Sequence, residues 1–275
     1  MLFNIKLFRL FQLSKKLYFY LFSLYYFILL NIFIFFVPQN AYTAIIALGF
    51  TLLVVLPYLF VLFSISSSKT FLKPLPVISA HVLSSFLILT YFPNLVVFFK
   101  EGYIIFSTII FYFLSLSFNI FFVVSQKGSS IPLLRPAKVT FLQLQIIIAF
   151  LLFTAIFKTS LHSSVVEFTF LIQSIVIFAV CFTFSSVYWW SQQMEKEITS
   201  FIGNESLIIA FLVSAFAVSI SFFEMESFFR ALLITAVFYI CINYFQSIVS
   251  HKFTNKSLIE YAVVAAIVLL VVLGF

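Results

Sequence analysis

Residues 17–37 read LYFYLFSLYYFILLNIFIFFV, an unbroken apolar run without a single charge. A helix rises about 1.5 Å per residue, and the hydrocarbon core of a bilayer is roughly 30 Å thick, so some 20 such residues cross it. The run is too long for the apolar region of a cleaved signal peptide and reads as an anchor. Working outward, eight further apolar segments can be marked, at 42–66, 75–98, 102–125, 139–157, 164–190, 205–223, 228–249 and 257–275. The fold class that follows is all-α, a polytopic transmembrane helical bundle of about nine spans. Residues 1–16 form a separate amphipathic segment and 17–275 a single membrane domain.

Composition agrees. Of 275 residues, 64% are hydrophobic and 8% are charged, whereas soluble domains are about a quarter charged. A sizeable soluble domain, a secreted disulfide framework and a disordered tail are all excluded. Nothing has the alternating pattern of a membrane β-barrel. Cys181 and Cys241 both fall in apolar runs and are expected to be free thiols. All eight acidic residues are glutamates, so any mechanism that needs an aspartate is excluded.

The basic residues orient the chain. With the N-terminus in the cytoplasm, the inner segments hold twelve of the fifteen Lys and Arg residues, Lys100 and Lys158 lie outside, and Arg230 sits within a span. That asymmetry follows the preference of cytoplasmic loops for positive charge. It accounts for the net charge of +7 without a nucleic-acid partner. Residues 2–16 (LFNIKLFRLFQLSKK) space their cations so that a helix could lie in the headgroup layer, against membrane lipids.

Several positions stand out at membrane depth. Pro57 and Pro93 fall inside the second and third segments, where a proline frees a carbonyl that a neighbour or a cavity must satisfy. Arg230 follows Glu226 by four residues, the spacing of an ion pair on one helical face. His81 is expected to be a hydrogen-bonded helix residue, and Asn94, Asn119, Gln173 and Asn243 interhelical hydrogen-bond partners. Zinc-peptidase, serine-hydrolase and nucleotide-binding signatures are missing.

Three inner loops concentrate polar residues: Ser64–Ser85, Ser125–Phe141 and Tyr188–Leu207. Lys69, Lys73, Lys127 and Arg135 could converge there on a phosphate, and Glu195 with Glu197 on Mg²⁺. Solvated loops made basic by topology are the simpler account.

Nine spans with a cytoplasmic N-terminus is the layout of the UbiA superfamily of membrane prenyltransferases. Lys73-Pro74-Leu75-Pro76-Val77-Ile78-Ser79 resembles that family's RPLxxGxIS segment, and Thr199-Ser200-Phe201-Ile202-Gly203 its TLPxxxG segment. Both fall in the loops where the family carries them, and Val124 to Val139 is similar in placement to its basic loop after the fourth span. The resemblance implies a lipophilic cavity capped on the cytoplasmic side and an isoprenoid diphosphate as substrate. It implies Lys73, Lys127, Arg135, Gln192 and Gln193 as substrate-binding residues, with Mg²⁺ on Glu195 and Glu197. The family's aspartate-rich motifs have no counterpart: Leu56-Pro57-Tyr58-Leu59-Phe60 precedes the first segment and offers no carboxylate. The expected function is therefore a divergent prenyltransferase-family protein that binds or acts on isoprenoid lipids. The alternative is a transporter or a noncatalytic membrane subunit.

Overall fold

The computed structural model describes residues 15–37, 43–65, 72–92, 96–127, 132–159, 169–193, 200–249 and 255–273. Among these the fold is helical throughout, with no strand. The helices are α1 (Lys15–Phe36), α2 (Thr43–Ile65), α3 (Leu75–Tyr91), α4 (Val97–Lys127), α5 (Leu134–Lys158), α6 (Thr169–Gln193), α7 (Ser200–Ser221), α8 (Ser227–Val249) and α9 (Asn255–Leu273). The N-terminal amphipathic segment lies outside the described residues, apart from the start of α1.

Seven helices, α1, α2 and α4–α8, are long and apolar enough to cross a membrane, which makes the chain an integral multi-pass membrane protein. α3 has 17 residues, about 25 Å at 1.5 Å per residue. The apolar stretch of α9, Leu258–Val271, is also short.

Proline chemistry sets the limits of α3. Pro74 is its N-cap and Pro76 stands in its first turn, positions where a missing N–H costs nothing. At the other end the helix stops at Tyr91, so Pro93 is not inside it. A residue before proline is pushed out of helical conformation, and the third segment is shorter than its hydropathy suggests. Pro57, by contrast, is inside α2.

α3 and α5 form the centre. α3 packs on α2, α5, α4, α6 and α1, whereas α9 packs chiefly on α8. Buried aromatic rings fill the seams: Phe86 meets Phe33 and Phe50 at 4.9 and 5.5 Å between centroids. Phe118 meets Phe141 at 5.1 Å. The exposed apolar side chains of α1, α2 and α7 face outward, as lipid-facing helices do. Serine and threonine hydroxyls close onto the carbonyl four residues back, as at Ser23–Phe19 and Thr51–Ala47, both 2.8 Å. Such bonds satisfy these hydroxyls within their own helix. Cys181 and Cys241 are free, as expected.

Candidate functional site: a cationic-mouthed cavity between α5, α6 and α8

Arg135, Lys138, Leu142 and Ile146 recur every three or four residues, which places them on one face of α5. Tyr188 and Gln192 share a face of α6 by the same rule, as do Tyr239, Asn243 and Gln246 on α8. These three faces line an open cavity of about 840 Å³, whose apolar side is made by Val139, Leu142, Ile146 and Ile147 of α5. Its volume lies near the top of the roughly 300–1,000 Å³ range of small-molecule sites. The polar groups cluster at the end where α5 begins and α6 finishes. Among the residues that line it there is no carboxylate.

α5 reaches further toward that end than hydropathy indicates. The apolar segment begins at 139, but the helix starts at Leu134, because Pro136 is tolerated in a first turn and long cationic side chains keep their heads in a polar layer while their stems pack. Two cations thus stand over an apolar floor.

Lys138 Nζ donates to the Gln192 carbonyl at 2.7 Å. That carbonyl belongs to the last turn of α6, which has no intrahelical donor for it, and a cation is favoured there by the helix dipole. On α8, Asn243 Nδ2 donates to the Tyr239 carbonyl at 2.8 Å, a bond within its own helix rather than between helices. The Tyr188 hydroxyl donates to Gln246 Oε1 and ties α6 to α8.

Of the site residues expected from sequence, Arg135 and Gln192 line the cavity. Lys73 lies on another side of α6, its Nζ 5.5 Å from the centre of the Trp190 ring, a cation–π contact. Gln193 is half-buried, with Oε1 shielded and without a hydrogen-bond partner. Lys127 is the last residue of α4, and its side chain is not among those described. Glu195 and Glu197, the proposed Mg²⁺ ligands, lie outside the described residues. Among the described residues no three His, Cys, Asp or Glu side chains come together as metal ligands. Sequence reasoning missed Lys138, Tyr188, Tyr239 and Gln246. The signal available was their helical spacing, not a motif.

A second polar cluster joins α1, α3 and α4. Ser107 Oγ lies 2.9 Å from the Tyr26 hydroxyl and 2.7 Å from Ser85 Oγ. His81 Nε2 is 2.9 Å from the Ser107 carbonyl; a carbonyl only accepts, so Nε2 carries the proton. All four side chains are buried, and the cluster fastens three helices where no water competes.

Arg230 does not pair with Glu226. Its Nη2 donates to the Phe223 carbonyl at 2.9 Å, just beyond the end of α7, while Glu226 is exposed. The guanidinium thus caps the α7–α8 turn. The chain matches no family model, and no curated protein and no solved structure is significantly similar to it.

Proposed function

We propose that the chain is a nine-span, UbiA-like membrane protein with a cytoplasmic N-terminus, and that it binds an isoprenoid diphosphate in the cavity between α5, α6 and α8. The observation that carries this reading is the pairing of two cations, Arg135 and Lys138, with an apolar floor from the same helix. An anionic head group meets the cations and the prenyl chain covers Val139, Leu142 and Ile146. Lys73 and Lys127 belong to the same end of the bundle and add to its positive field. The distribution of basic residues along the sequence supports a cytoplasmic position for that end.

The head group is held by cations directly. Glu195 and Glu197 are the residues that would hold Mg²⁺. The chain's own residues account for binding and orientation of the lipid. A prenyl transfer would need stabilisation of the departing diphosphate, and Arg135 and Lys138 are the described groups at the cavity mouth that could give it.

The test is a thermal-shift titration of the purified protein with prenyl diphosphates, with and without Mg²⁺. Concentration-dependent stabilisation is expected. If no prenyl diphosphate stabilises the folded protein, the transporter or membrane-subunit reading takes precedence.

A further inference from the structure

We infer that the head group this site prefers is a phosphate bearing a hydroxylated ring, such as a phosphate-linked hexose, over a bare diphosphate. This rests on the reading of the cavity as an isoprenoid site. It comes from the balance of donors and acceptors on the α8 wall. A diphosphate at neutral pH offers acceptors almost exclusively, which suits Arg135, Lys138 and the amide nitrogen of Gln246, whose Oε1 accepts from Tyr188. Asn243 does not suit it. Because Nδ2 donates to the Tyr239 carbonyl, the amide orientation is fixed and Oδ1 remains as an acceptor on the cavity wall. An acceptor beside an all-acceptor ligand gains no hydrogen bond from it.

Two further neutral polar residues line the same cavity, Gln143 and Tyr239. Each can both donate and accept. With Asn243 and Gln246 they make an uncharged wall next to a cationic mouth, which a ring carrying several hydroxyls satisfies because every hydroxyl also gives and takes a hydrogen bond. Specific polar contacts at the head with an apolar chain site below are the arrangement that fixes an amphiphile's orientation.

The experiment measures binding of three lipids to the full chain in nanodiscs: a polyprenyl phosphohexose, a polyprenyl diphosphate of equal chain length, and phosphatidylinositol. The phosphohexose should bind about 5- to 30-fold more tightly than the diphosphate, since one neutral hydrogen bond corresponds to roughly a 2- to 10-fold change. Asn243→Ala should reduce that preference by about 2- to 10-fold, the worth of a single such bond. Gln143→Ala, at an exposed position, should reduce it without disturbing the fold. Equal binding of the diphosphate overturns the inference and leaves the isoprenoid site standing. Phosphatidylinositol binding as tightly as the phosphohexose supports the head-group assignment and removes the isoprenoid chain. Binding of none of the three overturns both.

Discussion

The Tyr25 hydroxyl on α1 lies 3.1 Å from the Leu53 carbonyl on α2, and Leu53 stands four residues before Pro57. In an uninterrupted helix residue 57 would donate its N–H to that carbonyl; proline has none. The freed acceptor is taken by a tyrosine of the neighbouring helix, so the proline marks a helix–helix contact and not a cavity.

Tyr25→Phe should therefore destabilise the protein by about 0.5–2 kcal/mol, the range of interhelical hydrogen bonds in membranes. In a Pro57→Ala background the restored N–H serves the same carbonyl, and the cost of Tyr25→Phe should shrink toward zero. A double-mutant cycle in unfolding free energy reads this coupling. Strict additivity would show that the tyrosine is not compensating for the proline.

Arg230 and Glu226 should behave independently. Arg230→Gln loses the bond to the Phe223 carbonyl, and a hydrogen bond to a charged group is worth about 1.5–3 kcal/mol. Glu226→Gln is a surface change and should stay within roughly 0.5 kcal/mol. Similar costs for both, with no further loss in the double variant, would reinstate an ion pair.

The two cations at the cavity mouth should separate by readout. Lys138→Ala removes the donor that closes α6, lowering both stability, by about 1.5–3 kcal/mol, and ligand affinity. Arg135 is exposed, so Arg135→Ala should leave stability within roughly 0.5 kcal/mol while weakening a phosphorylated lipid by about 10- to 150-fold. Lys73→Ala, remote from the cavity lining, should cost less affinity than either. If Arg135→Ala leaves affinity intact, the mouth does not hold the phosphate.

Long apolar runs are the strongest signal a sequence can give, and each of the nine expected segments overlaps a helix among the described residues. The errors lie at their ends. Hydropathy stops at Lys138 and Arg135, although α5 continues through them, because a cation at the interface ends an apolar run without ending a helix. It also runs through Phe92 and Pro93, although α3 stops at Tyr91, because proline is apolar yet breaks the backbone pattern. The cavity was less legible. Arg135 and Gln192 attracted notice as loop residues, but Tyr188, Asn243 and Gln246 look like ordinary helix positions until α5, α6 and α8 are packed together. The partner of Arg230 was misread because a carbonyl acceptor has no letter in the sequence, whereas Glu226 does.

The number of crossings can be tested at three exposed positions, Leu72, Leu133 and Glu224, each changed singly to cysteine. Cys181 is buried and Cys241 half-buried; both are replaced by alanine to remove background. α5, α6 and α7 separate Leu133 from Glu224, and all three are long enough to span. Three crossings put the two positions on opposite sides. Nine spans with a cytoplasmic N-terminus would put twelve of fifteen basic residues on the inner side; on that topology Leu133→Cys should be shielded from an impermeant thiol reagent in intact cells and Glu224→Cys should react. The reverse pattern would invert the orientation and put the cavity mouth outside the cell. Leu72 and Leu133 are separated by α3 and α4. If the 17-residue α3 crosses, by local thinning of the bilayer or by flanking side chains reaching to the interface, Leu72→Cys is shielded like Leu133→Cys. If α3 is instead a buried helix that does not cross, the two lie on opposite sides, and labelling of one but not the other would bring the chain below nine spans.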